Sequence, residues 1–160
     1  MARTPRRAQV SAGLLVYRRK PDGVEVLLAH PGGPFWAKKD AGAWTIPKGL
    51  VEQTDDVLAT AQREFTEETG FVPHGPFLPL SPVKQTSGKI VHAFACEDDF
   101  DPKQLTSNMF ELEWPPRSGR VQRFPEVDRA AWFDLAAAMD RIIAYQRPFL
   151  AELQQKLRAT

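Results

Sequence analysis

Glu64, Glu67 and Glu68 stand within five consecutive positions, in the run Arg63-Glu64-Phe65-Thr66-Glu67-Glu68-Thr69-Gly70, and any fold for this chain must accommodate them. The run has a helical period. At about 100° per residue, Leu58, Ala61 and Phe65 fall on one stripe with Val57 at its edge, the face an amphipathic helix buries. Residues three and four apart are neighbours on a helix, so Glu64 faces both Glu67 and Glu68, and like charges so placed cost about 0.2–0.5 kcal/mol per pair. On the same wheel Glu64 and Glu68 project beside Val57 and Ala61, with Glu67 one step further round. The carboxylates therefore flank the buried stripe. Carboxylates desolvated in this way need partners or a cation, and clustered hard oxygen donors suit Mg2+ or Mn2+. The bland alternative is a solvated acidic helix end with Arg63 as a local ion-pair partner.

The flanks set a frame around this helix. Upstream, Trp44-Thr45-Ile46-Pro47-Lys48-Gly49 reads as a short apolar strand stopped by proline, with a glycine that permits close backbone approach. Downstream, Gly70 reads as the glycine that ends the helix, with Pro73 shortly after it. The helix N-cap falls to Asp55 or Thr54.

Taken together, Gly49, Asp55, Arg63, Glu64, Phe65, Glu67, Glu68, Gly70 and Phe71 resemble the signature box of the Nudix hydrolase family. One position departs from it. Asp55 stands where that family has glutamate, in a place that supports the box structurally, often with the box arginine. The resemblance implies an α/β fold, an α/β/α sandwich built on a mixed β-sheet. It implies hydrolysis of a nucleoside diphosphate linked to another group, by water attack at phosphorus with Mg2+ or Mn2+ as cofactor. Carried over by position, Glu64, Glu67 and Glu68 would be metal ligands with the Gly49 carbonyl as a further ligand, and Arg63 would belong to the catalytic set. A further carboxylate is often found outside the box near the end of the domain. The segment Phe124-Pro125-Glu126-Val127-Asp128-Arg129 looks like that place, and Glu126, six residues before Trp132, is the candidate extra ligand or general base. Glu111, Glu113 and Asp128 compete for the role.

Substrate residues are marked more faintly. Trp36 beside Lys38 and Lys39, and Trp114 beside Arg117 and Arg120, pair an indole with cations in loop-like sequence, a combination that can stack a base and grip phosphate. Alternatively each indole packs on its own loop. Lys48, directly before the box glycine, is placed to meet a phosphate or to shield the acidic site, and Lys84 and Lys89 flank a hairpin tip at Gly88. His30, His74 and His92 are too scattered to suggest a zinc site.

At 160 residues with 42% hydrophobic content, the chain is one domain's worth, 1–160. Residues 1–9 read as a flexible basic start and 147–160 as a C-terminal helix. A net charge of +1 gives no bulk attraction to nucleic acid or acidic membranes. The single cysteine, Cys96, lies in an apolar run and reads as a buried, inert thiol. No run of about 18 apolar residues spans a membrane, and a cytoplasmic protein is expected. Strands are expected at 10–18, 24–30, 77–85, 89–97 and 110–114, and helices at 135–143 and 148–157. The pieces around Trp36 and Trp114 resemble a bacterial subgroup known as predicted nucleoside triphosphate pyrophosphohydrolases.

The leading reading is a metal-dependent pyrophosphohydrolase of nucleoside triphosphates, dinucleoside polyphosphates or related nucleoside diphosphate derivatives. Its rivals are a nucleotide- or RNA-binding module that keeps the fold without turnover, and an RNA 5′-end pyrophosphohydrolase. Three mutually repelling carboxylates favour turnover over binding alone, and near-neutral charge speaks against a nucleic-acid groove. Whether the chain is a monomer or a homodimer is left open by the sequence.

Overall fold

The computed structural model describes residues 9–159, so the expectation of a flexible basic start, apart from Gln9, lies outside the described residues. The first hairpin joins β1 (Val10–Lys20) to β2 (Gly23–Pro31) through the expected turn. β1 becomes the central strand of a mixed sheet. It pairs antiparallel with β2 and with β3 (Lys48–Leu50), and parallel with β6 (Ile90–Glu97). Two short strands, β4 (Leu78–Pro79) and β5 (Val83–Lys84), pair with β6, and β9 (Val127–Asp134) closes the other edge beside β2. β7 (Met109–Glu113) and β8 (Val121–Pro125) form a separate antiparallel arm.

Helices cover both faces. Along β1, Ala12, Leu14 and Val16 point one way and meet Ala61 and Phe65 of α1 (Val57–Thr69), with Leu27 and Phe71 completing that layer. Leu15 points the other way, into a layer shared with Val26, Leu28 and Ala93 and with Ala138 of α2 (Leu135–Arg141) and Phe149, Leu150 and Leu153 of α3 (Arg147–Arg158). A central strand buried on both faces explains its continuous apolar run. The result is an α/β/α sandwich. Phe65 is fully buried at the α1 contact, so Phe65→Ala is expected to cost about 3–5 kcal/mol, read as a lower urea midpoint with an unchanged slope.

Several local expectations are corrected. Trp44 to Ile46 is not a strand. Trp44 and Thr45 make isolated bridges, to Ile142 and Ala29, and the ladder with β1 resumes only after Pro47, which has no N–H to give it. The α1 cap is Asp56, whose carboxylate accepts the Ala59 N–H at 2.9 Å, rather than Asp55 or Thr54. The buried stripe is rotated accordingly, with Thr60 and Thr69 inside and Leu58 only half-buried. The strand expected over 77–85 is broken into two pieces around Leu80 to Pro82. α2 stops at Arg141, two residues early, and strands β8 and β9 occupy sequence that carried no strand expectation beyond Trp132.

Candidate active site

β3 and α1 bring the glutamates together. A Cβ built on Gly49 would lie 2.0 Å from the Glu64 carboxyl carbon, so only glycine lets Glu64 lie across the strand. One residue back, the Lys48 N–H donates to Glu68 Oε2 at 3.1 Å. Burial, with the nearby Glu126 and Glu64 charges, pushes the Glu68 carboxyl up to about 8. Burial and then Glu67 also raise Glu64, partly offset by Arg63, and burial and Glu67 raise Glu126. Arg63 is shared, with nitrogens 3.6 Å from Asp55, 3.7 Å from Glu64 and 3.9 Å from Glu67. Asp55 therefore stands beside the box arginine, where the shorter side chain still reaches.

Among the described residues no three His, Cys, Asp or Glu groups form a finished cation cage. The fold gathers the donors and their frame: hard carboxylate oxygens that raise one another's proton affinity beside a glycine cradle that a methyl group would fill. These features fit a divalent cation, which would relieve the repulsion. Gly49→Ala is expected to push Glu64 out of place while the core survives, weakening Mn2+ binding by about 10–100-fold, as measured by calorimetric titration beside a circular dichroism melt.

Glu126 occupies the single residue between β8 and β9. Its charge acts on both Glu64 and Glu68, which brings a residue some sixty positions away into the α1 cluster. The competing carboxylates are elsewhere: Asp128 accepts from or shares a proton with the buried His30 Nδ1 at 2.8 Å, and Glu111 and Glu113 lie along β7. Asn108 links the two halves of the site. Its N–H donates to the Glu67 carbonyl at 2.9 Å and its carbonyl accepts the Glu126 N–H at 2.8 Å. Sequence reasoning missed His30, Ser107 and Asn108 as parts of this junction, because His30 and Ser107 meet Asp128 and Val127 across long stretches of chain, Asn108 acts through its backbone, and none of these leaves a periodic signal.

The substrate candidates divide into two sets. Lys48 and Lys89 line one recess of about 250 Å³ with Ser11, Gln85 and Gly49, where β3, β1 and β6 lie side by side. Lys48 shares the row of Gly13 and Ala93, on the sheet face opposite α1. The second set sits on loops, and its indoles already have partners. The Lys39 ammonium lies 4.9 Å from the Trp36 ring centre, and Phe35 meets Trp114 edge-on at 5.2 Å, which ties the 32–43 loop to the β7–β8 arm. Arg117 sits at the arm's tip with a left-handed backbone, and Lys38 is exposed. Among the described residues, none of Trp36, Lys38, Lys39, Trp114 or Arg117 bonds to the four glutamates. Cys96 is buried, and burial pushes its thiol up to about 12.

A two-faced mixed sheet with a glutamate helix docked at the Gly49 strand is the frame of a NUDIX domain, and a family model with that description matches residues 7–153. The chain belongs to this family. It is 26% identical over 133 residues to Nudix hydrolase 7 of Arabidopsis thaliana; the match takes in 82% of this chain but 41% of that protein, so the chain spans about two fifths of that relative's length. Among solved structures it is similar in fold to a C. elegans Ap4A hydrolase in a binary complex, with a TM-score of 0.64 at 22% identity over 94% of this chain and 99% of that one. It is also similar to the NUDIX domain of Shewanella oneidensis NrtR complexed with ADP ribose, with a TM-score of 0.62 at 19% identity over 97% and 90% of the two chains. No helix among the described residues is long and apolar enough to cross a membrane.

Proposed function

We propose that this chain is a divalent-cation-dependent pyrophosphohydrolase that cleaves a phosphoanhydride of a nucleoside triphosphate, a dinucleoside polyphosphate or another nucleoside diphosphate derivative. The observation that carries this reading is Glu68, half-buried, anchored by the Lys48 amide and crowded by the charges of Glu126 and Glu64. Holding that arrangement costs stability, which a binding surface alone does not need.

Glu64, Glu67, Glu68 and the Gly49 carbonyl would hold Mg2+ or Mn2+. When bound, the cation neutralises phosphate charge and acidifies a coordinated water. Arg63 restrains Glu64 and Glu67 from the solvent side. Glu126, exposed but facing the cluster, is the additional ligand or the base that takes the proton of the attacking water. Water oxygen bonds to phosphorus, the bridging P–O bond breaks, and the departing phosphate carries away the electron pair. Lys48, whose charge reaches the Glu68 carboxylate from the edge of β3, would meet the negative phosphates there, and Lys89 lines the recess beside it. Trp36, Lys38, Lys39, Trp114 and Arg117 form the outer contacts, with the Phe35–Trp114 contact presenting an aromatic edge for a base.

The neighbours named for Ap4A and ADP ribose support a nucleotide derivative as the substrate class. A panel of nucleoside triphosphates, dinucleoside polyphosphates, nucleotide sugars, inositol pyrophosphates and 5′-triphosphorylated RNA, with Mg2+ or Mn2+, tests it by product analysis. Chelator-sensitive hydrolysis of a nucleotide is the expected result, with oxygen-18 from water in one phosphate product. Binding without hydrolysis across the panel would return the chain to a binding module.

A further inference from the structure

Glu126 is carried by an irregularity in the sheet. β2 and β9 pair regularly as far as His30 with Arg129, but Pro31 pairs with Val127, leaving Asp128 as an extra residue on β9. Such a bulge re-aims the side chains around it. Here it leaves the Val127 N–H to donate to Ser107 Oγ at 3.0 Å. The oxygen of the same peptide unit, the Glu126 carbonyl, accepts from the Gly32 N–H at 2.9 Å. The peptide unit before Glu126 is held as well, by its N–H donating to the Asn108 carbonyl at 2.8 Å.

Both peptide planes around the Glu126 Cα are thus fixed, and those planes set the direction in which its side chain leaves the backbone. The opposing sides are rigid. A Cβ on Gly32 would lie 1.8 Å from the Pro125 carbonyl oxygen, and His30 grips Asp128 from within the core. Ser107 is held in turn by its neighbours, with the Thr106 N–H donating to the Thr69 carbonyl and the Asn108 N–H to that of Glu67, both at 2.9 Å. Of the three bonds on these two planes, the one to Ser107 is the only one made by a side chain. Its hydroxyl joins the end of the glutamate helix to the peptide that carries Glu126.

We propose that Ser107 is a positioning residue, whose hydroxyl locks the 126–127 peptide so that the Glu126 carboxyl is held toward Glu64 and Glu68. This rests on the reading of Glu126 as part of the hydrolytic site. Ser107 touches neither cation nor substrate and acts only through Glu126. A serine that served the fold alone would lower stability without regard to what Glu126 is. A positioning serine loses its effect once Glu126 can no longer function.

The test uses the full chain with Ser107→Ala, Ser107→Thr and Glu126→Gln, singly and with Ser107→Ala and Glu126→Gln combined. Mn2+ binding is followed by electron paramagnetic resonance, and turnover on a nucleotide found in the panel is followed beside it. Ser107→Ala is expected to reproduce part of the Glu126→Gln defect, about tenfold in whichever of Mn2+ affinity or kcat that variant changes. Ser107→Thr, which keeps the hydroxyl, is expected to restore it. In the Glu126→Gln background, Ser107→Ala is expected to add no further loss, since coupled residues are not additive. An equal loss in both backgrounds overturns the proposal, as does an intact Ser107→Ala variant beside a defective Glu126→Gln. If Glu126→Gln changes neither readout, the role of Glu126 fails and the proposal falls with it. Coupled loss of Mn2+ binding in a protein that hydrolyses nothing supports the positioning while rejecting the hydrolase reading.

Discussion

Glu68→Gln is expected to lower kcat by about 10²–10³-fold, the scale on which removing one preorganised charge-stabilising group acts, and at the same time to stabilise the cation-free protein. The two effects share one cause. Glu68 is the most perturbed of the cluster, with its carboxyl near 8 because it is largely withdrawn from water and faces Glu126 and Glu64. Glutamine keeps an oxygen for the Lys48 N–H and removes the charge. At pH 8 and without cation, the release of that strain is worth on the order of several kcal/mol by proton linkage. Turnover measured with Mg2+ and melting measured in chelator check the pair. Unchanged turnover would remove Glu68 from the reaction, and a lower melting temperature in chelator would show that its charge is not a strain.

The contrast with Phe65 sharpens what the sequence carries. Phe65 lies between Glu64 and Thr66, and its role was legible because helical spacing with Ala61 predicts a buried face, which the sheet supplies. The same spacing placed Glu64, Glu67 and Glu68 together, and Gly49 as a position needing close approach. Less legible were features decided by single hydrogen bonds. Asp55 and Asp56 are chemically identical as caps, and only the direction of the chain entering α1 gives the cap to Asp56 and turns Asp55 toward Arg63. The split around Pro82 and the interrupted pairing before Lys48 follow from prolines whose effect on a ladder depends on which side the partner lies. Glu126 is singled out as a candidate by its likeness to a family feature. It parts from Asp128 at a bulge that no local pattern announces, and from Glu111 and Glu113 because those lie along the β7–β8 arm. The loop tryptophans were open to two readings, and their partners, Lys39 for Trp36 and Phe35 for Trp114, are contacts across short loops with no periodicity.

The stability of this protein is expected to fall with rising pH in chelator and to lose that fall in millimolar Mg2+. An unfolded glutamate ionises near its ordinary 4.5, whereas the folded Glu68 holds its proton until about 8. Between these values the folded state binds more protons than the unfolded state, so raising the pH favours unfolding. The contribution is fully present below about 4.5 and is lost as the pH rises through about 8, with Glu64 and Glu126, both shifted upward, adding in the same direction. A cation that needs the ionised carboxylates reverses the slope. It binds the folded state only, stabilises it by mass action, and below pH 8 must displace the proton from Glu68. Melting temperatures at pH 5 and pH 8, each with and without Mg2+, give the four numbers required. The chelated protein should melt higher at pH 5, and Mg2+ should raise the melting temperature far more at pH 8. Calorimetric titration with Mn2+ near pH 7, in two buffers of different ionisation enthalpy, should reveal proton release on binding. A chelated protein whose stability is flat or rises between those pH values would remove the protonated Glu68 from the site, and Mn2+ binding without proton release would remove it from the ligand set.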